Sequence, residues 1–453
     1  MTLPSGIDPA KLCRIRERER ENFAARTPRS AALLARARHS MPNGVPMSWM
    51  AGLYDHAPIF VTGGQGAWFE DVDGHRYLDF NQADLAASLG FAPPAVTEAV
   101  QRRAAQGTSF LLPIEDGVVA AELLAARTGM PYWQFTGSAS NSNTEAIRIA
   151  RVATGRERIL LFDGKYHGHI DETLVVEADG QLKSDGLGLP RSASNTTGII
   201  PFNDLAALER ALAAGDIACL IAEPMLTNVN IVFPDEGFWT QARELVHRAG
   251  ALLIIDEAHT HSFAYGGLTR AWKLQPDIMV VGKGIGSGIA FGAYGMTAAI
   301  ADLCIRYLNS NVAVPDGLAL GGTTYASALA LSAARAALES LTVAVYARTA
   351  ELGARLGSGL EDIFRRHDLD WRAPHIGGRA GWVTEPTLPR NAAEAYRSLD
   401  REFVETRRLF MLNRGIWEAI RSAGPAISFA HERIDVDRYL EVAENFLSDL
   451  RGN

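Results

Sequence analysis

The sequence is poor in lysine and cysteine, and it has no long run of apolar residues. Only five of its 44 basic residues are lysines, so chemistry that needs an amine has few candidates: Lys11, Lys165, Lys183, Lys273 and Lys283. The three cysteines lie far apart in the chain, which argues against a disulfide framework and favours a reducing compartment. No apolar run has the length that a membrane-spanning helix needs.

Lysine- and arginine-rich tracts are lacking as well, and we expect no signal peptide. The net charge of -8 gives no electrostatic footprint for nucleic acid. The segment 11–21 is charged throughout, whereas a signal peptide has an apolar core. We therefore expect a cytoplasmic protein with no nucleic-acid partner and no membrane partner.

Short apolar runs alternate with amphipathic segments from about residue 130 onwards. The apolar runs predict strands buried on both faces, and they occupy residues 159–162, 218–222, 252–255 and 278–281. Capping residues and glycines bound helices predicted over 204–214 and 239–249. This alternation predicts an α/β fold, with a mostly parallel sheet and helices on both faces.

Three segments follow from this pattern. Residues 1–85 hold a charged helix and a β-hairpin at 67–80, whose turn is Asp73-Gly74. Residues 86–330 are the large domain. Residues 331–453 are a smaller α+β domain, with strand candidates at 381–383 and 426–429.

Three functional candidates follow buried strands: Glu223, Asp256 and Lys283. Ligands of open α/β sheets bind at these carboxyl ends. Lys283 lies in the glycine-rich turn 282–288, where a partly desolvated amine becomes a nucleophile, although a surface lysine is the plain alternative. The carboxylate of Asp256 can pair with the ring nitrogen of a cofactor and keep it protonated. Alternatively, Asp256 caps a helix or binds Mg²⁺.

Small hydroxyl residues open a predicted helix at Ser138–Ser140. A helix N-terminus is a natural phosphate site, although serine also serves as an ordinary cap. Tyr166 follows the strand at 159–162 and can stack on a planar ligand. The nearby pair His167 and His169 is weak evidence for a metal because no third ligand accompanies it.

In its order of motifs the chain resembles the class III aminotransferases of pyridoxal-phosphate (PLP) fold type I, and most closely their glutamate-1-semialdehyde aminomutase branch. The resemblance runs from residue 66 to residue 431 and rests on segments 66–79, 137–140, 166–169, 222–224, 255–257, 282–284 and 321–324. It implies a large domain with a mostly parallel seven-stranded sheet and a smaller α+β C-terminal domain. It also implies a homodimer with shared active sites.

The resemblance assigns a role to each matching residue. Lys283 would form the Schiff base with PLP and act as general base, and Asp256 would pair with the pyridine nitrogen. Ser138, Ala139 and Ser140 would hold the phosphate, Tyr166 and Ala258 would cover the two ring faces, Glu223 and Asn228 would lie near the ring substituents, and Thr323 would reach the phosphate in the partner subunit.

Three departures from the branch bear on the reaction. The phosphate turn reads Ser-Ala-Ser instead of Ser-Gly-Thr, no arginine stands at 46–50, and no acid stands at 421–425. The last two favour an aminotransferase that moves an amino group from an amino acid to a 2-oxo acid such as 2-oxoglutarate. Met47, Trp49 and Met50 suit an apolar or aromatic substrate side chain, or they are ordinary packing residues. The resemblance separately implies an aromatic donor of the D-phenylglycine kind.

Several alternatives stay open. Within PLP chemistry they are a glutamate-1-semialdehyde-type aminomutase and a racemase. In other classes they are an ATPase-like nucleotide-binding protein, for which the P-loop is lacking, and a binding protein without catalysis. A substrate carboxylate has three candidate partners, Arg379, Arg407 and Arg414.

Overall fold

The computed structural model describes residues 3–4, 6–178, 180–308 and 317–451. The strands are β1 (Val61–Gln65), β2 (Trp68–Asp71), β3 (Arg76–Asp79), β4 (Tyr132–Thr136), β5 (Arg158–Phe162), β6 (Val175–Ala178), β7 (Gln181–Ser184), β8 (Thr197–Ile200), β9 (Ile217–Ala222), β10 (Leu252–Asp256), β11 (Ile278–Gly282), β12 (Gly292–Met296), β13 (His375–Ile376), β14 (Arg379–Ala380) and β15 (Ile416–Trp417). The helices are α1 (Pro9–Arg26), α2 (Pro28–Ala37), α3 (Pro94–Ala104), α4 (Glu115–Thr128), α5 (Ala139–Thr154), α6 (Leu205–Leu212), α7 (Phe238–Arg248), α8 (Gly267–Ala271), α9 (Ala298–Leu308), α10 (Ala328–Ser340), α11 (Val343–Arg366), α12 (Ala392–Ala395), α13 (Arg401–Asn413) and α14 (Arg433–Arg451).

A seven-stranded sheet in the order β4-β12-β11-β10-β9-β5-β8 forms the centre of the molecule. Strand β12 runs antiparallel to its neighbours β11 and β4, and the other pairs are parallel. All residues of β9 and β11 are buried, as expected for strands covered on both faces. The predicted mostly parallel seven-stranded sheet is confirmed.

The helices beside the sheet begin and end at residues that the sequence marks. Ser138 caps α5 by accepting the N–H of Asn141, and the left-handed Gly155 ends that helix. Asp204 caps α6 in the same way. The two helices predicted at 204–214 and 239–249 are present as α6 and α7.

The predicted hairpin is also present, and it joins the two ends of the chain. Strands β2 and β3 pair antiparallel, and β3 pairs parallel with β15 near the C-terminus. Leu12, Leu78, Leu360 and Phe446 are fully buried in one shared core. The division of the chain at residues 85 and 330 stays a prediction.

The strand predictions at 381–383 and 426–429 are wrong. These segments make only isolated bridges, Arg372 with Val383 and Arg379 with Ala426. Their apolar residues, such as Trp382 and Ile427, are buried in the core, and the single bridge from Ala426 to Arg379 in β14 does not extend into a ladder. A short apolar run signals burial, and burial alone does not require pairing in a sheet.

No single helix in the described part of the chain is long and apolar enough to cross a membrane. Among the described residues, α10 and α11 are the one helix pair with the combined length and apolar composition of a membrane span, and they are bent by 74° relative to each other. Helix α10 is largely buried in the molecule, where it packs against α3 and α4.

Candidate active site

The three sequence-predicted strand-end residues line one cavity. Strands β9, β10 and β11 are neighbours and run parallel, so Glu223, Asp256 and Lys283 emerge at the same edge of the sheet. The cavity has a volume of about 420 Å³. Of the other predicted residues, Ser138, Ala139, Ser140, Tyr166 and Ala258 also line it.

Asp256 is held at the floor of the cavity by three hydrogen bonds. Its Oδ2 accepts from Nδ2 of Asn143 at 2.7 Å and contacts Nδ1 of His167 at 2.9 Å, and its Oδ1 accepts the N–H of Ala258 at 2.9 Å. Burial by itself raises the pKa of Asp256, but His167 and the other donors outweigh burial and hold that pKa below its ordinary value. The arrangement stabilises a buried carboxylate that faces a ligand.

Lys283 projects from the end of β11 with a left-handed backbone, at a φ of 46°. Its Nζ donates to the carboxylate Oδ2 of Asp84 at 2.5 Å and to the backbone oxygen of the same residue at 3.0 Å. Burial raises the pKa of Asp84, but the charges of Lys283 and His259 outweigh it and hold that pKa well below its ordinary value. No local sequence pattern marks Asp84 as a site residue.

The start of α5 forms one wall of the cavity and offers a site for a phosphate. Ser138 and Ser140 belong to this first turn, where a helix presents backbone N–H groups and its positive end. Neighbouring glycines let the backbone come close: a Cβ added to Gly292 would lie 2.3 Å from the carbonyl of Ser138, and one on Gly168 would lie 2.1 Å from Oγ of Ser140. The chain therefore keeps this turn free of side-chain bulk.

A hydrogen-bonded group surrounds Glu223. The hydroxyl of Thr227 donates to Oε2 of Glu223, and Nδ2 of Asn228 donates to Oε1 at 3.0 Å. Nδ1 of His259 lies 2.6 Å from the same hydroxyl. Asn228 does not line the cavity but bonds to Glu223, which does. Tyr166 lines the cavity and is 47% exposed.

Only one of the three candidate arginines lies beside these residues. Arg379 is 2% exposed and donates to the backbone oxygen of Thr227 at 3.1 Å. Burial lowers its pKa to about 10, although the charges of Asp84 and Glu223 oppose that shift. Arg407 bonds to Glu418, and Arg414 to Glu19, so both belong to structural ion pairs outside the cavity lining.

Some predicted residues lie elsewhere, and some site residues were missed. Thr323 is exposed and does not line the cavity of its own chain. His169 supplies a backbone N–H to Ser140, and the described residues hold no cluster of three or more metal-binding side chains. Sequence reasoning missed Asp84, Asn143, Thr227 and His259. Asp84, Asn143 and His259 meet distant partners only in the folded chain, and the local contact of Thr227 with Glu223 has no distinctive sequence signal.

A family model for the class III aminotransferases matches residues 49–382, which is well over half of the chain. The chain belongs to the class III aminotransferases. A glutamate-1-semialdehyde 2,1-aminomutase from Sorangium cellulosum is 34% identical over 435 residues, covering 94% of this chain and 97% of the relative. It is an enzyme family, and the predicted membership is confirmed.

Solved structures agree with this result. The fold matches a glutamate-1-semialdehyde aminomutase from Pseudomonas aeruginosa with a TM-score of 0.93 and 34% identity, over 98% of this chain and 100% of the other. A lysine-to-alanine variant of that enzyme, solved in complex with PMP, matches equally well. An omega-transaminase from Sphaerobacter thermophilus matches with a TM-score of 0.86 and 28% identity, over 95% and 100% of the two chains.

The cofactor of this class III aminotransferase is PLP, and the cavity fits it chemically. An amine at Lys283, a carboxylate kept charged at Asp256 and a helix N-terminus at Ser138 match the aldehyde, the ring nitrogen and the phosphate of that molecule. Two relatives that are 34% identical to this chain are named aminomutases, so the comparisons favour the aminomutase alternative over an aromatic amino donor.

Proposed function

We propose that the chain transfers an amino group on a small amine substrate, with PLP attached to Lys283. The observation that carries the proposal is the meeting of Lys283 and Asp256 at one cavity, above adjacent strand ends and beside the start of α5. Bound there, PLP supplies an electron sink for the carbon that carries the amino group.

The chain's own residues prepare the reaction. Asp256, held by His167 and Asn143, keeps a proton on the cofactor's ring nitrogen. Nζ of Lys283, when it is free of the cofactor, would take up the proton from the reacting carbon and return it. The remaining contacts are proposed as the resemblance implies them: Ser138, Ala139 and Ser140 at the phosphate, Tyr166 and Ala258 on the ring faces, Glu223 and Asn228 near the substituents, and Thr323 from the partner subunit of a homodimer.

Two reactions fit this site. The relatives favour an intramolecular transfer of the glutamate-1-semialdehyde aminomutase type, since the Sorangium and Pseudomonas proteins, each 34% identical to this chain, carry that name. One feature of the cavity favours the other reaction, transfer from an amino acid to a 2-oxo acid. Trp49 lines the cavity in the segment where the aminomutase branch carries its substrate arginine, and no arginine is found among the described lining residues.

A single-substrate experiment separates the two reactions. The purified enzyme with PLP is incubated with glutamate-1-semialdehyde alone and, separately, with single amino acids, while the visible spectrum and the products are followed. Formation of 5-aminolevulinate without an added oxo acid supports the aminomutase. Bleaching by an amino acid, followed by recovery of colour on adding 2-oxoglutarate, supports transfer between molecules. A protein that stays colourless after incubation with PLP contradicts both.

A further inference from the structure

The segment that follows β3 has an unusual backbone. Four consecutive residues that are not glycine, Gln82 to Leu85, have positive φ angles of 55°, 49°, 56° and 67°. Such a left-handed turn is costly for these residue types, and it persists only where the surrounding structure holds it in place. Oδ1 of Asp79 does so by accepting the N–H groups of Asn81 and Gln82 at 2.8 and 3.0 Å.

The turn has one clear consequence, which is the position of Asp84. Its carboxylate and its carbonyl oxygen both accept from the amine of Lys283. Nε2 of His259 lies 3.9 Å from the same carboxylate oxygen, and the other ring nitrogen contacts the hydroxyl of Thr227. A strained backbone thus places a braced carboxylate against the amine that the proposed chemistry uses.

In the proposed function, the amine of Lys283 is bonded to the cofactor and no longer donates to Asp84. When Lys283 is linked to the cofactor, the carboxylate loses the ammonium group that donates to it directly and keeps only the more distant His259, and the loss of a close partner is unfavourable for a part-buried charge. A second ammonium group is available in the same reaction, because the amino donor arrives protonated. The charge of Arg379 interacts with that of Asp84, but Arg379 does not line the cavity, whereas Asp84 does and is therefore accessible to the incoming molecule.

We propose that Asp84 is the ammonium receptor of this site, a specificity-determining residue for primary amines. It binds the amino group of the donor before transfer and the amine of Lys283 after the donor has displaced it. The inference rests on the proposed function for its place in the reaction. It also predicts that a substrate carboxylate is excluded from this corner of the cavity, because the two negative charges repel each other.

Binding experiments in a lysine-free background test the receptor directly. In Lys283→Ala, pyridoxamine 5′-phosphate and pyridoxine 5′-phosphate differ only in carrying an ammonium or a hydroxyl group next to Asp84. Adding Asp84→Asn should raise the dissociation constant of pyridoxamine phosphate by about 10-fold or more, since one charged hydrogen bond is lost. The dissociation constant of pyridoxine phosphate should change by no more than about 2-fold. Asparagine keeps the shape of the side chain and tolerates the left-handed backbone.

Two controls protect the result against a general loss of structure. Asp171→Asn removes an exposed acid outside the cavity and should change neither affinity. Lys283→Met, which also removes the amine but fills more of its volume, repeats the measurement with and without Asp84→Asn should Lys283→Ala fold poorly. Equal loss of both ligands in Asp84→Asn, or no loss of either, overturns the proposal.

A measurement without the cofactor distinguishes failure of this inference from failure of the proposed function. Methylammonium chloride at about 100 mM should raise the thermal midpoint of Lys283→Ala by about 1–2 °C over sodium chloride of the same ionic strength. Tetramethylammonium, which has no N–H, should not do so, and the rise should vanish in Lys283→Ala with Asp84→Asn. If neither pyridoxamine phosphate nor pyridoxine phosphate binds, the proposed function fails. A rise in the thermal midpoint with methylammonium would still support the ammonium receptor. An identical rise in the double variant contradicts the receptor.

Discussion

Oδ2 of Asp256 lies 2.9 Å from Nδ1 of His167, and both side chains are buried. The contact joins the end of β10 to the loop after β5, which carries Tyr166 at the cavity wall. One buried pair therefore fixes both the carboxylate proposed for the ring nitrogen and the loop proposed to cover a ring face.

Replacing Asp256 with asparagine tests the role of its charge. Asp256→Asn should retain PLP, because Lys283 and the phosphate turn are unchanged, but lower the rate of amino transfer on the order of 10²-fold, as for the loss of one electrostatic stabiliser. The rate is measured as absorbance change in a single half-reaction. Glu257→Gln is the matched control, since Glu257 is buried next door but bonds to Thr260 and the α8 backbone instead of facing the cavity. An equal loss of rate in both variants would show a structural effect only.

Asp79 predicts a dependence of stability on pH. Burial raises its pKa to about 7, although the N–H groups of Asn81 and Gln82 oppose the shift. The unfolded chain loses this proton near pH 4 and the folded chain near pH 7, so the unfolded state binds fewer protons between these values and stability falls as pH rises. The difference amounts to on the order of 4 kcal/mol.

Asp79→Asn should flatten that pH dependence, because asparagine does not ionise. Urea unfolding at pH 5 and at pH 8 measures the free energy of unfolding of each protein at the two pH values. The loss of stability between the two pH values should be smaller in the variant than in the unmodified chain. Identical losses would mean that another group carries the effect.

Gly168 predicts a link between chain packing and cofactor affinity. Its φ of 93° and the 2.1 Å between an added Cβ and Oγ of Ser140 leave no room for a side chain. Gly168→Ala should displace Ser140 and therefore weaken the binding of PLP. It should also lower the free energy of unfolding by about 1–3 kcal/mol more than a control replacement does. The control is Gly155→Ala, whose φ is 69° with nothing within 4 Å of the added Cβ. Equal effects of the two replacements on PLP affinity would contradict the assignment of the phosphate turn.

Tyr166 lends itself to a paired replacement. Tyr166→Phe keeps the ring and should leave the dissociation constant of PLP within about 2-fold. Tyr166→Ala removes the ring and should raise that constant about 2- to 10-fold, the size expected of one aromatic contact. Fluorescence titration of the apoprotein measures both constants. If both variants bind PLP equally well, Tyr166 does not stack on the cofactor.

The sequence predicted the features that local patterns encode. Apolar runs gave the buried strands, and the parallel arrangement of β9, β10 and β11 then brought Glu223, Asp256 and Lys283 to one edge. Contacts between segments that are distant in the sequence could not be predicted in this way. Asp84 meets Lys283 across 199 positions, and Asn143 meets Asp256 across 113, and no local pattern marks such pairs. The strands expected at 381–383 and 426–429 failed for a related reason, since apolar character records burial and not the choice of partner.

The attachment of PLP to Lys283 is the central claim, and reduction followed by peptide mapping tests it most directly. The protein with PLP is treated with borohydride and digested with trypsin, and the peptide with the added phosphopyridoxyl mass is identified. The predicted result is a single labelled peptide covering residues 274–306, uncleaved at Lys283, and no label in Lys283→Ala. A label on Lys165 or Lys273, or on none of the lysines, would contradict the account.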